Sequence, residues 1–276
     1  MNTLRKMFSN KADKVLLSIF IVMILWLLML QILNLKFTIY NYADQVIMGF
    51  IPSIGAIVGF IRMQQWGGIR SKVGRSVFFI SLGLLSWAIG QWIWTYYNLF
   101  LNVEVPYPSW ADFGYGPTYI WWAIGIAMLA NLTSVKNYNR SLERILLLCV
   151  PITMAIIIYY IIYSGIHDGE GFLNTDNPVK LFFDIYYPLS DVIIMIIIIL
   201  TSSLELNHLG HRVRLPFVII MAGLISMYVS DFTFSYTTTV GTYYIGAAAD
   251  WLFAISMFLL SLGLSNLHPH LLEDKS

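Results

Sequence analysis

Long apolar runs alternate with short polar connections along this chain, and the lengths of the runs decide its class. A hydrocarbon core of about 30 Å needs roughly 20 helical residues at about 1.5 Å each. Eight runs reach that scale, at 15–35, 45–63, 76–99, 112–134, 143–164, 179–204, 215–237 and 247–266. Each predicts a spanning helix. The first follows Arg5, Lys6, Lys11 and Lys14, as a secretory signal would. Its apolar core of about 20 residues exceeds the usual ~7–15, and no small-x-small exit follows, so a retained helix is expected.

Composition agrees with the pattern. Hydrophobic residues make up 58% of the 276 and charged residues 11%, against soluble averages of about 45–50% and about 25%. The mean hydropathy is +0.71. One cysteine, Cys149, excludes an intramolecular disulfide and leaves the redox compartment unread. The net charge of +1 hides a sharp asymmetry. With the N-terminus cytoplasmic, the inner segments hold fourteen of the sixteen basic residues and five acids, a net +9. The outer side and outer membrane half hold Lys36, Lys180 and ten acids, a net −8. The excess of inner Lys and Arg predicts N- and C-termini both cytoplasmic, in a cell membrane. Orientation and anionic headgroups account for those basic residues, so membrane lipids and not nucleic acid are the expected contacts.

The chain also repeats itself. Pro52-Ser53 aligns with Pro188-Leu189-Ser190 at an offset of about 136, and Arg70-Ser71-Lys72 with Arg212-Val213-Arg214 near 140–142. Gln91, followed by Trp92, Trp94 and Tyr96, aligns with Asp231, followed by Phe232, Phe234 and Tyr236, at 140; Asp112 aligns with Asp250 at 138. The expected fold is therefore an all-α integral membrane protein forming one membrane domain over 1–276. Its eight transmembrane helices form two parallel four-helix units, 15–134 and 143–266, about an axis along the membrane normal.

Candidate chemistry gathers in the outer half. Asp184, Pro188 and Asp191 are spaced i, i+4 and i+7, one stripe of a helix, which sets Asp191 roughly 20 Å from a start near Pro178. Asp231 falls in the outer third of its run. Carboxyls inside a membrane cost roughly 2.5–3.5 kcal/mol even on the lenient scale and face a cavity or a partner. Asp191 and Asp231 are therefore the expected primary ligand-contact or protonatable groups. Asp112, Asp250, Asp184, Gln91, Tyr187, Tyr236 and Trp110 complete an outward-facing acidic and aromatic pocket. Charge and cation–π attraction in such a pocket suit a small cation or an amine. Plainer roles compete at several positions. Asp112 and Asp250 suit helix N-termini that accept backbone N–H bonds. Trp92, Trp94, Trp110, Trp121, Trp122 and Trp251 suit an interfacial belt, and Gly55 with Gly59 suits helix packing.

Other signals are thin. His167-Asp168-Gly169-Glu170 and His208/His211 with Glu205 lack a full ligand set, so no metal site is expected. Asn131-Leu132-Thr133 fits a glycosylation acceptor at the inner end of its run, the wrong side for use. There is no P-loop, GxSxG, HExxH or CxxC, and the seventh run lacks the lysine a retinal protein needs. No cofactor is specified.

Pro108-Ser109-Trp110-Ala111-Asp112, Tyr187-Pro188-Leu189-Ser190-Asp191, and Ser230-Asp231 followed by Gly241, Tyr243 and Ala249-Asp250-Trp251 carry a resemblance. They resemble the multi-pass prokaryotic membrane modules that precede GGDEF/EAL or histidine-kinase signalling domains. That resemblance covers the third to eighth runs and implies a membrane sensor. The chain departs from it at the end: about ten residues, Leu267 to Ser276, follow the last run, with no cyclase, phosphodiesterase or kinase. A stand-alone module, a truncated one, or a subunit signalling through a separate protein all fit. The expectation is a non-enzymatic sensory or small-molecule-binding module acting on a cytoplasmic signalling partner. The alternative is a proton- or cation-coupled transporter, and third a membrane-embedded enzyme.

Overall fold

The computed structural model describes residues 10–36, 38–130, 177–203 and 210–269. Every described element is helical. They are α1 (Lys11–Ile32), α2 (Ile39–Gln65), α3 (Lys72–Tyr96), which runs on through a wide π turn at Tyr97–Leu101, α4 (Asp112–Ala130), α5 (Pro178–Ser203), α6 (Gly210–Thr239) and α7 (Ala248–Asn266). The expected span at 143–164, with Cys149, lies outside the described residues. So do the Asn131 acceptor, the His167–Glu170 loop, Glu205, His208 and the side chain of His211.

Among the described residues, six helices are long and apolar enough to cross a membrane. α4 is not one of them, because its first half, Asp112-Phe-Gly-Tyr-Gly-Pro-Thr-Tyr119, carries glycine, tyrosine and proline in place of aliphatics. Its position explains the composition. Thr118, Tyr119, Trp122 and Ile126 are all buried, so protein rather than lipid surrounds that face. Trp122, expected in an interfacial belt, is instead 0% exposed and packs over Gly83 of α3. A glycine is required there because a Cβ would enter the indole. Trp110, 67% exposed, keeps to the surface as a belt residue would.

Small residues set the helix seams. Gly55 and Gly59, expected as packing residues, are so: Gly55 faces Ser261 of α7 and Gly59 faces Ser81 of α3, each too close for a side chain. The α3–α4 and α6–α7 hairpins then make the same contacts at matched positions. Ser86 Oγ donates to the Gly114 carbonyl at 2.8 Å, and Ser226 Oγ to the Leu252 carbonyl at 3.3 Å. Gly125 lies against Ile80 and the Ser76 carbonyl, and Gly263 against Ile220 and the Pro216 carbonyl. The offsets are 140 along α3 and α6 and 138 along α4 and α7, those of the sequence alignment.

Two further seams are reciprocal. α2 packs on α7, and α5 packs on α4. Both pairs run parallel, since Asp112 near the start of α4 meets Tyr187 of α5, and Arg62 near the end of α2 meets Ser265 of α7. The end of the α2–α7 seam where both helices finish is pinned by Arg62 Nε to the Ser265 carbonyl at 2.8 Å and Trp66 Nε1 to the Leu267 carbonyl at 3.0 Å. The end where both begin is pinned by Gln31 Nε2 to the Gly246 carbonyl at 2.9 Å and Asn41 Nδ2 to the Ile245 carbonyl at 2.8 Å. α1 lies outside this framework against α2 and α7, with Ile21, Val22, Leu25 and Ile32 exposed.

Candidate functional site

The half of the bundle in which α4 and α7 begin holds a chain of carboxyl–phenol contacts that starts from helix N-termini. At α4, the Ser109 backbone N–H donates to Asp112 Oδ2 at 2.7 Å, and Ser109 Oγ in turn accepts from the Ala111 N–H at 3.2 Å. At α7, the Gly246 N–H donates to Asp250 Oδ2 at 2.7 Å. Both aspartates thus have the terminal role expected of them, tying the preceding turn to the first helical turn. Each also takes a phenol on its second oxygen. Tyr187 of α5 reaches Asp112 Oδ1 at 2.6 Å, and Tyr243 of the α6–α7 turn reaches Asp250 Oδ1 at 3.3 Å.

Deeper, Asp191 of α5 and Asp231 of α6 come together with their carboxyls within hydrogen-bonding reach. Tyr119 of α4 donates its hydroxyl to Asp231 Oδ2 at 2.6 Å. Tyr119 also contacts the Tyr187 ring at 5.7 Å between centroids and the Tyr186 ring at 6.5 Å, so the carboxyl pair adjoins an aromatic wall that leads to Asp112. Asp191 is 7% exposed. Two carboxyls facing each other, one buried and one half-buried, favour a proton or a cation between them.

A second arm runs through amides. Gln91 of α3 donates Nε2 to Gln45 Oε1 of α2 at 3.1 Å and accepts from Tyr115 of α4 at 3.0 Å. Asp112, Asp250 and Asp231 also influence the Tyr115 hydroxyl electrostatically, although its hydrogen bond goes to Gln91. At the rim, Tyr107 donates to Asp184 at 2.8 Å. Partial burial, then Asp184 and Asp112, push the Tyr107 phenol above its ordinary range, although 47% of the residue remains exposed. Burial and the adjoining Asp250 raise Tyr243 likewise.

The structure therefore joins Asp112, Tyr187, Asp231 and Asp191 through Tyr119, with Gln91 beside them on the separate Gln45–Tyr115 arm, Asp250 on the flank and Asp184 at the rim. It leaves Trp110 stacked on Phe113 and Tyr236 stacked on Phe232, both exposed and outside the cluster. It adds Tyr115, Tyr119, Tyr243, Gln45 and Asp44, which are not among the expected pocket residues. A signal existed for the last: Ala43-Asp44 repeats Ala111-Asp112 and Ala249-Asp250. Among the described residues, no three His, Cys, Asp or Glu side chains cluster in a metal-binding group. No family model, curated protein or solved structure matches this chain.

Proposed function

We propose that this chain is a non-enzymatic membrane sensor that binds a small cationic or amine-bearing molecule from the outer side and reports to a cytoplasmic signalling protein. The observation that carries the reading is the pairing of buried Asp191 with half-buried Asp231, bonded by Tyr119 and flanked by Tyr186 and Tyr187. A protonated amine would supply both the charge and the donors that two facing carboxyls lack, and the adjoining rings offer their faces to it. The matched α3–α4 and α6–α7 contacts support two parallel four-helix units. The parallel course of α4 and α5 supports an eighth span over 143–164, with both termini cytoplasmic.

Thermal unfolding of purified protein with ethanolamine, spermidine and tyramine tests the site. A ligand held at 100 times its Kd stabilises the folded state by about 2.7 kcal/mol. The expected result is a saturable rise in Tm for wild type that Asp191→Asn and Asp231→Asn both lack. Equal responses from all three proteins would refute the reading. Topology is checked in a Cys149→Ser background: Glu104→Cys should react with an impermeant maleimide in intact cells, and Ser71→Cys only after lysis.

The reciprocal α2–α7 and α4–α5 seams favour a second reading, a cation-coupled transporter that rocks about its internal repeat. Uptake into proteoliposomes, abolished by Asp191→Asn, would establish it in place of the sensor.

A further inference from the structure

The two reciprocal seams differ at one chemical point. In the α4–α5 seam, the aspartate at the head of α4 meets a donor from its partner helix, the Tyr187 hydroxyl. In the α2–α7 seam, the aspartate at the head of α7 has a second aspartate, Asp44 of α2, within electrostatic reach. Asp44 is 0% exposed, and neither of its carboxyl oxygens has a hydrogen-bond partner. Asp250 is 4% exposed. Asp112 thus has a donor from its partner helix, whereas the charged group that α2 brings toward Asp250 is itself an acceptor.

The neighbouring donors are committed elsewhere. Asn41 gives its amide N–H groups to the Leu35 and Ile245 carbonyls. Gln91 gives its amide to Gln45. Tyr243 and the Gly246 N–H go to Asp250. A buried carboxylate with all its lone pairs free is costly unless a charge answers it. Free lone pairs on a carboxylate are also what a hard cation binds: such ions take oxygen ligands, with one or two carboxylates and water completing the shell. Asp44 is the sixth residue of α2, only ~8 Å from its outer end at about 1.5 Å per residue, and Asp250 is the third of α7. Both are near the outer surface.

We propose that Asp44 and Asp250 form a binding site for a hard inorganic cation (Na⁺, Mg²⁺ or Ca²⁺) between the outer ends of α2 and α7. The ion would tie the two helices at the end opposite the Arg62–Ser265 pin. The site is separate from the Asp191–Asp231 pair and does not depend on the amine reading.

The test is thermal unfolding of the full chain, stripped with chelator into choline chloride and then titrated with NaCl, MgCl₂ or CaCl₂, choline chloride providing the ionic-strength control. The expected result is a saturable rise of a few degrees in Tm for wild type with at least one of the three ions. Asp44→Asn should lose that response and start at a higher Tm than ion-free wild type, because the amide removes the uncompensated charge. Asp231→Asn should keep the response. A wild type that choline stabilises equally, or that only acidification stabilises, overturns the proposal without reference to any variant. So does a response lost in Asp231→Asn and kept in Asp44→Asn, which would move the ion to the other pair. If Asp44→Asn does not fold, Tb³⁺ luminescence sensitised by Tyr243 and competed by Ca²⁺ decides the question on wild type; absence of sensitised emission counts against the site.

Discussion

Replacing Tyr119 by Phe removes one hydroxyl and leaves the ring in its contacts with Trp122, Tyr186 and Tyr187. What is lost is the 2.6 Å bond from the buried Tyr119 to Oδ2 of the half-buried Asp231. Hydrogen bonds to charged groups are worth about 1.5–3 kcal/mol in soluble proteins, whereas coupling energies between membrane helices average about 0.6 and reach about 1.7. Burial and the short distance put this bond near the top of the membrane range, so a coupling of about 1–2 kcal/mol is expected between Tyr119 and Asp231. The assay is a double-mutant cycle of wild type, Tyr119→Phe, Asp231→Asn and the double variant, unfolded reversibly in mixed micelles. Tyr119→Phe alone should destabilise by about 1–2 kcal/mol. In the Asp231→Asn background it should cost much less, since the amide is a weaker acceptor with donors of its own. Additivity within about 0.3 kcal/mol would show that the phenol and carboxyl do not interact, and the α4–α6 link at the centre of the site would fall.

Gly125→Ala and Gly263→Ala should each destabilise by about 1–3 kcal/mol and by similar amounts, because the added Cβ meets an Ile side chain at 2.6 Å in both and an unyielding backbone within about 3 Å. A large cost at one and none at the other in the same unfolding assay would break the equivalence of the two hairpins. Arg62→Met should cost about 1–3 kcal/mol, since it leaves the Ser265 carbonyl without its donor at a buried helix end; an unchanged unfolding curve would refute that. The raised Tyr107 phenol stabilises the fold fully below the ordinary tyrosine value of about 10, and this contribution is lost as pH climbs from there toward the raised value. Tyr107→Phe should therefore lose stability less steeply than wild type above about pH 10, and parallel slopes would contradict the shift.

Among the described residues, helix positions were readable because aliphatic runs must be helices in a bilayer, and the ends fell within six residues. The exceptions are instructive. The run at 45–63 corresponds to a helix that begins at Ile39, because hydropathy discards a first turn containing Asn41 and Asp44. That turn is buried against α7 and holds the polar residues of the seam, so trimming the helix also removed Asp44 from view. Tyr115 and Tyr119 escaped notice for a related reason. They lie three and seven residues after Asp112, on one stripe of α4, but an aromatic in a membrane run reads as belt unless its neighbours are known. Trp122 was assigned to that belt on the same ground and turned out to fill the interior over Gly83. Periodicity can show that residues share a face; which face is inward depended on glycines in the adjoining helix.

α4 bears on how the chain is made as well as on what it does. A segment whose first half is glycine, tyrosine and proline partitions poorly into lipid by itself, and translation delivers it only after α3. Under the proposed topology its entry is expected to depend on α3, whose Ser86 offers a donor to the Gly114 carbonyl and whose Gly90 admits the α4 backbone at close range, so that the hairpin would insert as a unit. Bulky substitutions at Gly90 or Gly114 would accordingly surface first as chains with α4 left outside the membrane, a fault in biogenesis that an assay of ligand response would misread as a fault in the site.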